Sequence, residues 1–274
     1  MKKLNLTLLL SLSFIILNAQ SSKEKQKIIK EYDFSCLSSD NDVGSNDVIT
    51  ILGDITREMQ NDFLSNIEVT VEEEMEFGNI ELERMKEEYR FEDSGDEHAK
   101  LQKILSILTS KLAEPRGFRY QIHYIDDNIE NVFTIGGRIF FFRGMYEKCR
   151  SDSEIAAIIG HEISHNELGH LTLKIKKIKS AMQLGMFGSI ALAIESVMTV
   201  SFNQKQESHA DMFGVDLTYP TNYKSCAAVS FWNRMGEEEH ENQVENFFRS
   251  HPYSSARMRC ISNHLETHYN LHCN

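Results

Sequence analysis

The sequence has no surplus of basic residues to offer a phosphate backbone: 29 Lys and Arg stand against 41 Asp and Glu, a formal net charge of −12. Neutralising phosphates needs a basic face, and none stands out along the chain, which argues against DNA and RNA as partners. Any Cys-x-x-Cys pair is also missing among the five cysteines, Cys36, Cys149, Cys226, Cys260 and Cys273. Zinc-finger and thioredoxin-like readings therefore lose their ligands. No cysteine stands directly after the apolar N-terminal run, so lipid modification there is not indicated. The most apolar stretch beyond the N-terminus, residues 182–202, is not an unbroken apolar span, because Glu195 sits near its middle. A carboxylate at that depth costs ~2.5–3.5 kcal/mol on insertion scales. The stretch reads as a buried or membrane-leaning helix, with peripheral membrane contact as the expectation.

What is present begins with a basic start at Lys2 and Lys3, an apolar run from Leu4 to Leu17, and Asn18-Ala19-Gln20 offering a small residue for cleavage. That is the pattern of a secretory signal peptide over residues 1–19, with a retained N-terminal anchor as the alternative, and it predicts export to a periplasmic or extracellular compartment. Disulfides persist there, and the odd cysteine count leaves at least one without an intramolecular partner. Residues 20–53 mix Ser, Asp, Asn and Lys without period and predict an exposed leader with little order. Over 54–97, Leu64, Ile67, Val71, Met75, Leu82, Met85 and Tyr89 recur at helical spacing among glutamates. An acidic amphipathic helical region follows, its acidic side a solvated face. At 274 residues and 41% hydrophobic content, the chain is long enough for one sizeable core, placed at 98–274.

Within that body, His98 to Leu112 is helical in pattern, Pro115-Arg116-Gly117 breaks it, and Arg119 to Ile125 reads as a strand. Gly136-Gly137 is a two-residue hairpin signal between Asn131–Ile135 and Arg138–Phe142, so paired strands are expected there. Ser151 and Glu154 have capping-box spacing, which predicts a helix beginning at that point and running to about Lys179.

That helix carries His161-Glu162-Ile163-Ser164-His165. Positions four apart on a helix differ by only ~40° and one turn, so both imidazoles face one point. A zinc ion accepts two such nitrogens while Glu162 activates the attacking water. The apolar run Ile155 to Ile159 before it makes the helix a buried one. For a third ligand, His170 fails the register, lying nine residues after His161 and about 180° around a continuous helix. It reads as a surface histidine or one behind the ligands. Glu207, in Glu207-Ser-His-Ala-Asp211, is the better candidate: Asp211 shares its helical face and can accept the free ring N–H of a ligand histidine. His209 points elsewhere.

These blocks resemble the HtpX-like zinc metallopeptidases, relatives of the CAAX prenyl endopeptidases and of envelope quality-control proteases. The likeness covers roughly residues 98–260 and rests on Asn131-Val-Phe-Thr-Ile-Gly-Gly137, HEISH, Glu207-Ser-His-Ala-Asp211, and His251-Pro252 followed by Arg257. It implies a mostly helical α+β, zincin-like fold with a small β-sheet and one zinc per chain. It implies that Phe140 to Phe142 lie near an edge strand to which an extended polypeptide substrate adds, with Gly137, Ile139, Phe140 and Phe141 as contacts. It further implies that His251 approaches the metal, either stabilising an oxyanion or occupying the open position as a gate. Arg257 would hold that loop, and Asn131 would support the site from behind. Val132 and Ile135 stand where the family has Ala and commonly Pro. The expected activity is endopeptidase action on exported proteins in quality control, with a non-catalytic chaperone or assembly factor of the same fold as the alternative. Oligomeric state is not readable.

Overall fold

In the computed structural model of the chain, residues 25–39, 64, 66–183, 185, 188–198, 201–239, 251 and 255–273 are described. The predicted signal peptide, much of the leader and residues 54–63 lie outside them. A three-stranded sheet forms the middle layer. Strands β1 (Gln121–Ile125), β2 (Val132–Ile135) and β3 (Arg138–Phe142) lie in the order β1-β3-β2, with β1 parallel and β2 antiparallel to β3. Ile135 pairs with Arg138, so Gly136 and Gly137, at φ 56° and 78°, make the two-residue turn alone. A Cβ on Gly136 would meet the Glu74 carbonyl oxygen at 1.9 Å, so that position tolerates no side chain.

Alternation along the strands divides the apolar residues between two cores. One face carries Ile122, Tyr124, Val132, Ile139 and Phe141; the other carries Ile125, Ile135, Phe140 and Phe142. On the second face lies α1 (Val71–Glu88), opened by a capping box between Thr70 and Glu73. The first face is covered by α2 (Asp96–Thr109) through Leu101, Ile104, Leu105 and Leu108. After β3 the chain makes the short α3 (Arg143–Lys148) and enters α4 (Asp152–Glu167), whose residues from Glu154 to Asn166 are all buried. Then come α5 (His170–Gln183) and α6 (Ile190–Met198) beside α1, followed by α7 (Gln204–Thr218), α8 (Ala227–Glu239) and α9 (Ser255–Tyr269) around α4. This is a mostly helical α+β architecture.

Several expectations need correction. The helix predicted from Ser151 to Lys179 is two helices, broken at Gly169, where φ is 71°. At its start the capping box is half formed: Ser151 Oγ accepts from Glu154 N at 3.2 Å, but the Glu154 carboxylate accepts from Arg150 N at 2.8 Å and from Arg234 at 2.7 and 2.9 Å. An ion pair with Arg234 outcompetes the backbone of Ser151. The acidic side of α1 is not wholly solvated, since Glu74 and Glu81 are buried. Glu74 accepts from Arg116 and Thr172, each at 2.7 Å, and Glu81 pairs with Arg84 at 2.8 Å.

Residues 182–202 do not make one helix: α5 ends at Gln183 and α6 begins at Ile190. Among the described residues no helix is long and apolar enough to cross a membrane. Ala193 and Ile194 turn inward, while Ile190 and Leu192 are exposed. Residues 25–39, expected to be poorly ordered, pack on the body. Gln26 N donates to Lys111 O at 2.9 Å, Tyr32 Oη donates to Asp216 at 2.7 Å, and Cys36 is disulfide-bonded to Cys260. Aromatic rings and one covalent bond order a segment whose composition alone would not. A second disulfide joins Cys226 to Cys273 and leaves Cys149 as a free thiol.

Candidate metal centre

Two helices build the site, and their backbones come together at two glycines. A Cβ on Gly160 of α4 would lie 3.1 Å from the Gly214 carbonyl oxygen; a Cβ on Gly214 of α7 would lie 3.0 Å from the backbone of Gly160 and His161. With backbones in contact, the histidines of α4 reach the carboxylates of α7. The start of α7 is fixed by a reciprocal cap, Asn203 accepting from Gln206 N at 2.9 Å and Gln206 from Asn203 N at 3.2 Å. Glu207 therefore sits in a first helical turn, where unpaired amides favour negative charge.

His161, His165, Glu207 and His251 each direct one ligand-type atom into a cluster whose atoms all lie within 4.8 Å of one another. His161 Nε2 lies 3.0 Å from His165 Nε2 and 3.1 Å from His251 Nδ1. Glu207 stands 3.6 Å from His161 Nε2, 3.4 Å from His165 Nε2 and 3.2 Å from His251 Nδ1. A tetrahedron with bonds of ~2.0–2.1 Å has edges of about 3.3 Å, so these separations fit a four-coordinate ion. All four residues are buried.

Behind the cluster, Asp211 Oδ1 lies 2.8 Å from His161 Nδ1. Arg257 donates to Asp211 at 2.7 and 2.9 Å, stands 2.8 Å from Glu207 Oε2, and reaches the His251 carbonyl at 3.4 Å. Its guanidinium lies 3.7 Å from the Trp232 ring centroid. One fully buried cation thus joins the two carboxylates to the segment carrying His251. Burial would raise both carboxyls, but Arg257 and the histidine rings more than offset it, holding Glu207 well below and Asp211 below the usual range. Glu162 differs. Burial, with Glu207 nearby, pushes it up to about 8. Neither of its oxygens has a hydrogen-bond partner, although His251 Nε2 stands 3.4 Å from Oε1.

The predicted substrate contacts are placed differently. β3 is the middle strand, paired on both sides, and Ile139, Phe140 and Phe141 are buried in the two cores, so no peptide can add along them. Gly137 has both backbone groups engaged, its N–H to Asn166 Oδ1 at 3.0 Å and its carbonyl from Gln121 N at 2.9 Å. The adjoining edge strand is β2. Asn131 O accepts from Phe142 N, so by alternation Val132 and Thr134 turn their backbone groups away from β3. Asn131 itself makes no hydrogen bond to the histidine cluster, and its Oδ1 is buried without a partner.

Sequence reasoning missed two residues of the site. Asn166, fully buried, donates to Thr134 Oγ1 at 2.8 Å and accepts from Gly137 N, stitching α4 to the β2–β3 hairpin. Phe202 stacks on His165 at 3.9 Å between ring centroids. An amide one place after HExxH and a lone aromatic before a cap carry no periodic signal. His209 lies apart from the cluster, against Tyr32 and Phe34.

Residues 96–265 match Peptidase family M48, and they contain all four clustered donors. The chain belongs to peptidase family M48. That membership is in keeping with the HtpX-like resemblance of its motifs. Relatives include the mitochondrial metalloendopeptidase OMA1 of Schizosaccharomyces pombe, 26% identical over 158 residues, which cover 54% of this chain and 47% of that protein. Metalloprotease LoiP of Escherichia coli is 24% identical over 53% of this chain and 62% of its own. The beta-barrel assembly-enhancing protease of Yersinia pestis is 22% identical over 61% of this chain and 40% of its own. The chain thus spans less than two thirds of each of these M48 relatives.

Proposed function

We propose that this M48 peptidase is a zinc-dependent endopeptidase acting on exported polypeptides in protein quality control. The observation that carries the reading is the convergence of His161, His165 and Glu207 with His251 at the separations of a tetrahedral site, beside a buried carboxyl that makes no hydrogen bond. Zinc, when bound, supplies the Lewis acidity that polarises a scissile carbonyl and lets water lose a proton near neutral pH. Glu162 is placed to take that proton and pass it to the leaving amine. Asp211 holds His161 with Nε2 free for the metal, and Arg257 holds Asp211 and Glu207 in place. His251 Nδ1 stands inside the donor cluster, so His251 acts as a gate that must withdraw before substrate enters. An extended substrate would add along the edge strand β2.

The organisation of the N-terminal residues supports export, and the quality-control role is carried over from the HtpX-like resemblance, beside a relative named a beta-barrel assembly-enhancing protease. The exposed Ile190 and Leu192 of α6 would give the peripheral membrane contact. The deciding experiment is Glu162→Gln. It should keep one zinc per chain by elemental analysis and lower peptide hydrolysis by about 10²–10⁴-fold, the range for losing a general base. Full activity in that variant would remove Glu162 as the base.

A further inference from the structure

Each ligand histidine has a second ring nitrogen, and what that nitrogen meets decides which tautomer the ring holds. For His161 the partner is Asp211, which when ionised can only accept. For His165 it is another imidazole: His165 Nδ1 lies 3.0 Å from His170 Nδ1. Two ring nitrogens in contact need one donor and one acceptor. His165 Nε2 faces the cluster, 3.0 Å from His161 Nε2 and 3.4 Å from Glu207, and a ligand nitrogen must present a lone pair. The proton of a neutral His165 ring is then on Nδ1, and His170 Nδ1 must accept it.

We propose that His170 is a positioning residue that fixes the tautomer and ring plane of His165 for metal binding. The proposal rests on the zinc reading of the cluster. On an unbroken helix His170 would point away from His161; the left-handed Gly169 ends α4 and starts α5 so that His170 turns back beneath His165. Phe202 stacks on the His165 ring, so an edge contact and a face contact together hold it. A neutral imidazole also suits the charge balance. Arg257 already serves the two carboxylates Asp211 and Glu207, and a further carboxylate behind His165 would add to the buried negative charge beside them.

The test compares His170→Leu, which removes the acceptor at similar volume, with His170→Asn, whose amide oxygen can accept the same hydrogen bond. Zinc affinity is read by competition with a chromophoric chelator, and the His165 proton position by ring-nitrogen NMR of the metal-free chain. His170→Leu should weaken zinc binding by about 10- to 100-fold and lose the fixed Nδ1–H signal. His170→Asn should restore most of both. Wild-type affinity together with an unchanged His165 tautomer in His170→Leu would overturn the proposal alone. A wild-type chain that takes up no zinc would overturn the metal centre and this proposal with it.

Discussion

Arg257 is the residue on which the site's electrostatics turn. It is fully buried, and its fork serves Asp211 and Glu207 while reaching the His251 carbonyl. Removing one partner from a buried ionic group costs ~3–5 kcal/mol, because the charge left behind has no water to turn to. Arg257→Met should therefore lower the melting temperature of the chelator-treated protein sharply, and added zinc should recover part of the loss by returning positive charge to Glu207. Calorimetry with and without metal reads both effects. A metal-free melt unchanged by the substitution would contradict this account. Much of this residue set was legible beforehand, because HExxH and Glu-x-x-x-Asp are spacings with a geometric meaning on helices. What was not legible was direction. Arg257 was expected to hold a loop, and its larger role, bridging Asp211 and Glu207, depends on where α9 lies against α7, which no local pattern encodes.

Between α4 and α7, ligand geometry depends on how closely two backbones approach. Gly214 has backbone atoms of Gly160 and His161 at 3.0 Å from where a Cβ would be, and backbone cannot swing aside as a flexible side chain can. Gly214→Ala should push the helices apart by a few tenths of an ångström and weaken metal affinity by more than it lowers metal-free stability. Chelator competition and thermal melts on the same variant separate the two. At the sheet's other edge, Asp93 accepts from Tyr124 N at 3.0 Å and lies 2.7 Å from His123 Nδ1, closing the free side of β1. Burial raises its carboxyl, but those two hydrogen bonds and the nearby His123 and His98 rings together outweigh it, so its pKa in the folded chain is lowered. A lowered folded pKa contributes stability above the unfolded carboxylate value of ~3.9, lost as pH falls through the folded one. With Asp93 partly exposed, screening limits this to about 1 kcal/mol or less. Wild type should exceed Asp93→Asn in stability at pH 6 and lose that margin in acid, as denaturant melts across pH would show. The strands themselves were readable from β-branched and aromatic runs. Their order was not, because β3 returns between β1 and β2, and the edge lies one strand away from the aromatic run that suggested it.

Across the whole molecule, two disulfides join segments that are distant in sequence. Cys36–Cys260 spans 224 residues and Cys226–Cys273 spans 47. Loop-closure entropy alone assigns them about 5 and about 4 kcal/mol, as upper figures. The pairing was beyond sequence, since spacing does not select among the arrangements of five cysteines. Their functional weight should differ more than their similar entropies do. Cys260 lies one turn after Arg257 on α9, and the segment it anchors also carries Tyr32, which hydrogen-bonds Asp216 of α7. The long-range disulfide thus braces the two helices that supply Glu207, Asp211 and Arg257. Cys226–Cys273 joins the start of α8 to the residues after α9, away from those side chains. Paired serine substitutions at Cys36 and Cys260 should therefore lower both the melting temperature and zinc affinity. The same change at Cys226 and Cys273 should lower the melting temperature and leave zinc affinity close to wild type. Equal loss of affinity in both pairs would mean that the centre senses global stability alone, and that the N-terminal segment does not brace it.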